Sequence, residues 1–525
     1  MTPPAELREL VEGGERDNIE FKRRLDTETH LEQGRLQSLA SQMRHRILEG
    51  NGVATYVVGV TDDGGLAGVD RDAFEETIEV LGVVAGEADA AVSEVEEHDV
   101  GDGTVGVATV TSAREDAEHI VVGTAGHVDH GKSTLVGTLV TGSPDDGDGG
   151  TRAYLDVQPH EVERGLSADL SYGVYGFDGG DPIRMSNPLS KREKRDVVGS
   201  ADKLVSFVDT VGHEPWLRTT IRGILGQKLD YGLVTVAADD GPTHVTREHL
   251  GILLATDLPT IVAITKTDVV DDDRVEKVEE AVAEMLKGVG KVPHSVASRG
   301  VDGAVERLPD GVIVPVVRTS AVTREGFDAL DAMFRRLPRT HDADDEPFEL
   351  YVDRTYQVTG VGTVASGTVK QGEVAEGDEV YLGPRDDGGY HSVEVRSIEM
   401  HYHRVERATA GNIVGVALKN VDEDAVSRGM VLTSEPGEST RRFRAEVMVL
   451  NHPTRIREGY EPVIHLETVS EAAVFRPEGG TILPGETDDV TVEFKFSPYR
   501  VREGQTFVFR EGKSKGVGTV TEVLE

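Results

Sequence analysis

Residues 1–118 are expected to fold as an α+β domain, 119–340 as a doubly wound α/β P-loop domain, and 341–437 and 438–525 as two β-barrels. Three observations predict this multidomain architecture. The chain has 525 residues, enough for three or four domains of about 150 residues each. Between 119 and 340, short apolar runs alternate with helical patterns, and the first such junction carries a Gly-rich phosphate-binding motif. Past residue 340 the helical patterns give way to short Val-rich runs separated by Gly-containing turns.

The elements follow in order. Ala5–Glu12 reads as a helix, as does His30–Leu48. Gly50-Asn51-Gly52 turns the chain into an apolar strand, Ala54–Val60. A further helix is expected near Asp72–Leu81 and a last strand near Val105–Val110. This first domain carries no catalytic signature of its own. Next, Ile120–Thr124, Leu204–Val208, Tyr231–Ala237, Thr260–Thr265 and Ile313–Thr319 read as buried parallel strands. Gly131–Leu139 and His244–Ala255 read as the helices that follow two of them, and Ser143–Gly150 (SPDDGDGG) as a mobile loop. An acidic linker, His341–Glu346, leads into the barrels, which divide near Pro436–Ser439.

Composition narrows the function classes. No run approaches the 18–20 apolar residues of a membrane span, and the N-terminus lacks the apolar core of a signal peptide, so a cytoplasmic protein without a membrane partner is expected. The absence of cysteine rules out disulfides, thiol catalysis and Cys-ligated metal. With 55 Lys+Arg against 95 Asp+Glu the formal charge is −40, which by itself argues against nucleic acid. Only 15 of the basic residues are Lys. Such an acidic, Lys-poor balance suits molar salt, where the Debye length shrinks to about 3 Å and self-repulsion is screened. Under that reading the net charge says little about partners.

The motifs carry the chemistry. Gly126-His127-Val128-Asp129-His130-Gly131-Lys132-Ser133, followed by Thr134, matches GxxxxGK[ST] between a strand and a helix. Its amides and the helix N-terminus would cradle phosphates, Lys132 would reach the β- and γ-phosphates, and Ser133 would ligate Mg²⁺. Asp209-Thr210-Val211-Gly212-His213 closes the next predicted strand. There Asp209 suits a water-mediated Mg²⁺ contact and the Gly212 amide suits the γ-phosphate. Thr265-Lys266-Thr267-Asp268 reads as the base-recognition loop. Its Asp268 carboxylate can accept from guanine N1–H and N2–H₂, an arrangement adenine does not offer, while Lys266 can lie along the base plane. Ser320 and Ala321 suit a backbone amide aimed at guanine O6. Thr265 stands where this loop usually begins with Asn, which is expected to lose a tether between loops. Within Glu163–Ser167 (ERGLS), the Ser167 hydroxyl is the candidate for a Mg²⁺ contact made only when the γ-phosphate is present. The basic run Lys191–Arg195 could touch RNA, although a solvated loop is the commoner use of such a run.

GHVDHGKST, ERGLS, DTVGHE and TKTD in this order resemble the translational GTPases of the elongation factor Tu class. The resemblance implies a P-loop GTPase domain that uses GTP, GDP and Mg²⁺. It implies that His213 positions the attacking water once a ribosome docks, with Lys132 as the other catalytic group. The family has Thr at the position of Ser167. Asp353–Lys370, Ala410–Val416 and Arg428–Leu432 resemble the second domain of these factors, and 440–525 the third. Together these imply a grip on aminoacyl-tRNA. A finer resemblance, to the GTP-binding protein 1 family, rests on Asn18–Lys22, the Ala54–Val60 strand continued by Gly59–Val69, and Phe509–Thr519, and TKTD at Thr265–Asp268 suits it too. It implies GTP and tRNA or other RNA binding with a link to ribosome and mRNA surveillance. A monomer with no DNA partner is expected, from a halophilic archaeon. Two other roles fit the motifs: an initiation factor 2 gamma-like tRNA carrier, and an RNA-surveillance adaptor that GTP gates.

Overall fold

The computed structural model describes every residue except 1–4, 17, 51, 62–63, 89, 102, 113–116, 155–170, 211–225, 342–344, 360, 452–454, 513 and 525. The chain forms two compact units, Met1–Ala117 with His403–Val405, and Glu118–Tyr402 with Glu406–Glu525. No helix among the described residues is long and apolar enough to cross a membrane.

The first unit contains a four-stranded mixed sheet. Its strands are β1 (Ile19–Lys22), β2 (Val53–Val58), β3 (Ala90–Val100) and β4 (Gly103–Ser112), in the order β1-β2-β4-β3. Helices Gln33–Glu49 and Arg71–Glu87 supply the rest of its main core. The second of these starts at Asp70, whose carboxylate accepts the Ala73 N–H, and it buries Phe74, Thr77, Val80, Leu81 and Val84 along one face. It runs six residues beyond the predicted end at Leu81, because Val84 and Ala85 continue the apolar stripe. β1 and β3 were not foreseen as strands. β3 (AAVSEVEEHDV) is largely solvent-facing and charged, so its alternation is weak, and only its ten-residue pairing with β4 makes it a strand.

The second unit opens with an eight-stranded sheet. Introducing β5 (Glu118–Gly126), β6 (Ser171–Asp178), β7 (Asp181–Ile183), β8 (Lys203–Asp209), β9 (Tyr231–Ala237), β10 (Thr260–Thr265), β11 (Val292–Ser295) and β12 (Ile313–Arg318), the order is β11-β12-β10-β9-β5-β8-β6-β7. The six strands from β11 to β8 run parallel, and β6 and β7 add an antiparallel edge. β8, β9 and β10 are buried at every residue. Helices cover both faces of such a sheet, which explains why these strands read as unbroken apolar runs. The P-loop helix, Lys132–Thr141, follows β5 at the centre of the sheet.

Two closed β-structures follow. In the first, Glu379–Gly383 pairs with both Val431–Thr433 and His391–Met400 and so closes a ring with Glu349–Val358, Gly362–Gln371 and Ile413–Leu418. The second is a closed six-stranded barrel from Arg442–Asn451 to Ser514–Leu524. Its core stacks Phe443, Phe475, Phe494, Phe507 and Phe509, with ring centroids 5.0–5.6 Å apart.

The basic run Lys191–Arg195 is not a loop. It opens a helix, Lys191–Ser200, capped by the Ser190 hydroxyl. Lys191 Nζ lies 4.9 Å from the Tyr402 ring centroid, and Arg192 and Arg195 both approach Asp196. Much of this charge therefore faces partners within the chain.

The sheet and the first barrel share a buried polar chain. The Asn412 amide N–H donates to His119 Nδ1 at 3.0 Å, because its Oδ1 already accepts the Thr409 N–H. His119 Nε2–H then donates to Ser206 Oγ at 2.8 Å, and the Ser206 hydroxyl donates to His401 Nε2 at 2.8 Å. The Asn412 bond requires a neutral His119, and the Ser206 bond in this direction requires a neutral His401. Burial pushes His119 down to about 4 and His401 to about 3. The folded values lie below the unfolded value of about 6.5, so stability is complete above that pH and declines as pH falls from there towards the folded values. The slope is about 1.4 kcal/mol per pH unit for each histidine. His401→Gln, whose amide can still accept from Ser206, should flatten the dependence of the unfolding midpoint on pH between about 6.5 and 4.5. Parallel curves for parent and variant would refute this coupling.

Candidate nucleotide site

A cleft of about 600 Å³ opens at the C-terminal ends of the parallel strands, where open α/β sheets bind ligands. One end is built by the P-loop. Gly126, at φ 137°, ends β5, and a Cβ there would stand 2.6 Å from the Thr235 carbonyl, so only glycine fits. Gly131, at φ 76°, turns the chain into the helix that begins at Lys132. The Gly126 N–H donates to His249 Nδ1 at 2.9 Å, which pins the loop from beneath.

Lys132 is 6% exposed. Its ammonium donates to the carbonyls of Gly126 and His127 at 3.2 and 2.8 Å. Burial lowers it to about 8, while Asp209 and Asp129 act the other way. Ser133 Oγ donates to Asp209 Oδ2 at 2.5 Å, and Thr124 Oγ1 donates to the other carboxylate oxygen at 2.7 Å. Asp209 itself is 1% exposed at the end of β8. A hydroxyl and a carboxylate are thus presented together, a pair of hard oxygen donors that suits a small divalent cation.

The other end carries Lys266, Asp268, Ala321 and Val322 on the cleft wall. Lys266 sits at φ 59° with its Nζ 3.7 Å from Asp239. Thr265 does not leave the loops untied, contrary to the expectation from its side chain. Its hydroxyl donates to the His130 carbonyl at 2.9 Å, so the tether between base loop and P-loop is kept with a shorter donor. Thr267 adds a bond to Glu325, and its N–H reaches the Thr319 carbonyl.

The other expected residues divide. Val128, Asp129, Gly131 and Thr134 line the cleft. Gly126, His127 and His130 are absent from its wall, and the His130 side chain is buried below it. Ser320 does not face the cleft either: it is fully buried, its N–H donates to the Glu325 carbonyl, and its hydroxyl accepts the Thr323 N–H. Ser320 thereby shapes the turn that presents Ala321. Ser167, Gly212 and His213 lie outside the described residues.

Two contributors were not foreseen. The segment read as a mobile loop is anchored by the buried carboxylate of Asp145, which accepts from the N–H groups of Gly147, Gly149 and Thr151 and from the Thr151 hydroxyl. The Asp145 N–H donates in turn to the Ala321 carbonyl, joining this loop to the base end. The anchored turn brings Arg152 to the cleft wall near Lys132. The usable signal was an arginine two residues past an Asp/Gly-rich turn, a composition that reads locally as slack.

Three family models match: elongation factor Tu GTP binding domain over residues 117–339, elongation factor Tu domain 2 over 362–433, and elongation factor Tu C-terminal domain over 436–524. GTP-binding protein 1 of Xenopus laevis is 31% identical over 500 residues, covering 93% of this chain and 76% of that protein. GTP-binding protein 2 of Mus musculus is 31% identical over 528 residues, covering 96% and 87%. Among solved structures, a bacterial selenocysteine-specific elongation factor, EF-Sec, superposes with a TM-score of 0.58 at 24% identity. That match covers 77% of this chain and 58% of the EF-Sec chain.

Proposed function

The chain belongs to the elongation factor Tu family of GTPases, alongside GTP-binding proteins 1 and 2, and from that premise we propose that it is a GTP-driven switch that carries aminoacyl-tRNA or another RNA to the ribosome. The observation that carries this reading is the cleft with Lys132 and Ser133 at one end, Ser133 bonded to the buried Asp209 behind it, and Asp268 at the other. In this reading a guanine nucleotide lies with its phosphates on the P-loop and its base against Asp268.

In this mechanism the backbone of Val128–Thr134 holds the phosphates, and Lys132 transfers its hydrogen bonds from two carbonyls to the β- and γ-phosphate oxygens. Ser133, Asp209 and Ser167 would hold Mg²⁺, which when bound offsets phosphate charge. Asp268 selects guanine, with Lys266 beside the base. Gly212 donates to the γ-phosphate, and His213 orients the water for in-line attack on γ-phosphorus. Departure of phosphate releases the segments that carry Ser167 and His213, and with them the RNA.

The test is GTP hydrolysis by the purified chain with and without ribosomes and aminoacyl-tRNA, in dilute buffer and in molar KCl. Ribosome stimulation is expected, and so is greater stability in KCl, because a charge of −40 is screened there. Absence of stimulation under both conditions would sink the ribosomal role. His213→Ala should cut stimulated hydrolysis by about 10²-fold or more while nucleotide affinity stays near the parent value. Equal stimulated rates would remove His213 from the mechanism.

A further inference from the structure

Beneath the P-loop, His130 faces two groups that can only accept hydrogen bonds. Its Nδ1 lies 3.4 Å from the Thr235 carbonyl and its Nε2 3.1 Å from Asp240 Oδ2. A neutral imidazole has one N–H and satisfies one of them, leaving a lone pair against oxygen at the other. The imidazolium satisfies both, but at 2% exposure a charged ring is costly to desolvate. A metal ion on Nε2 resolves the conflict: Nδ1–H donates to the carbonyl, and the carboxylate becomes a second ligand. A histidine ligand whose other ring nitrogen donates to a backbone carbonyl is the usual arrangement in metal sites.

A third ligand stands close by. His127 packs edge-on to His130 with ring centroids 5.2 Å apart, and one donor atom from each of His127, His130 and Asp240 lies within 4.8 Å of the others. Asp240 is steadied by Arg274, whose guanidinium donates to the carbonyls of Asp239 and Asp240 at 3.0 and 3.1 Å. Two imidazoles and one carboxylate suit a borderline divalent ion rather than Mg²⁺ or Ca²⁺, which prefer oxygen throughout. Tetrahedral ligands at zinc distances sit about 3.3 Å apart, close to the observed 3.1 Å between His130 and Asp240. Asp240 and His127 are not fully buried, so a fourth position stays open to water.

We infer that His127, His130 and Asp240 form a binding site for a divalent transition ion of the Zn²⁺ type, separate from the Ser133–Asp209 oxygen pair. The ion would tie the P-loop to the end of β9. The inference does not depend on which nucleotide the cleft takes.

Untagged full-length chain, stripped with chelator, is titrated with Co²⁺ by visible absorption and with Zn²⁺ by calorimetry. One ion per chain is expected, with intense Co²⁺ bands of a four-coordinate site. His127→Ala and Asp240→Asn, both at partly exposed positions, should each weaken binding at least tenfold. Ser133→Ala should bind the ion as the parent does. The inference is overturned if His127→Ala and Asp240→Asn bind like the parent. It is equally overturned if Ser133→Ala loses the ion, or if no binding occurs below millimolar metal. Circular dichroism of each variant separates lost ligands from lost fold.

Discussion

Lys132→Ala is expected to bind GTP about 10²–10³-fold more weakly than the parent chain, a loss of about 3–4 kcal/mol. Among the described residues the ammonium is the one cation placed inside the P-loop, 6% exposed and held by two loop carbonyls. Charge-assisted bonds to phosphate are worth about 1.5–3 kcal/mol each, and two are lost together. The fold should survive, since Lys132 itself lines the cleft and water entering there can replace its ammonium against the Gly126 and His127 carbonyls. Arg152 lies near enough to influence Lys132 and supplies the remaining positive charge there, which sets the upper limit on the loss. Guanosine, which has no phosphate, should show no corresponding loss. Fluorescent-nucleotide titration measures both. Unchanged GTP affinity would refute the P-loop role of Lys132, and an equal loss for guanosine would mean that the whole site had collapsed.

What could be read from the sequence depended on whether a segment's fate is set locally. Tyr231–Ala237 and Thr260–Thr265 match their strands residue for residue, because a strand covered on both faces has no polar side and its apolar run begins and ends with it. The P-loop was equally legible: glycine at φ 137° and 76° is a local requirement that few sequences meet by chance. The Asp145 turn was misread although its bonds are local: the carboxylate gathers four hydrogen bonds from Gly147, Gly149 and Thr151 in an Asp/Gly-rich run whose composition reads as slack. Thr265 misled for a different reason, since its hydroxyl reaches a carbonyl 135 positions away in the chain, and such long-range contacts were not legible. Ser320 shows the converse error. It stands in the right loop, yet its N–H closes the turn with Glu325 and leaves the cleft wall to Ala321.

Asp268→Asn should exchange guanine preference for xanthine preference. The carboxylate offers two acceptors, which match the two donors on guanine, N1–H and N2–H₂. Asparagine offers one acceptor and one donor, and the donor would face the guanine amino group. Asp268 is solvent-exposed on the cleft wall, so water softens the loss to about 3 kcal/mol, or about 10²-fold in GTP affinity. Xanthine carries a carbonyl where guanine carries the amino group, so the new amide donor gains an acceptor and N1–H still meets the amide oxygen. The loop should keep its shape in the variant, because it is held by bonds that Asp268 does not make: Thr265 to the His130 carbonyl, Thr267 to Glu325, and the Thr267 N–H to the Thr319 carbonyl. Competition between GTP and xanthosine triphosphate for parent and variant measures the exchange. A variant that loses GTP without gaining xanthosine triphosphate points to a disturbed loop. One that keeps GTP at the parent affinity means that Asp268 does not read the base, and guanine selection would then have to come from the backbone at Ala321.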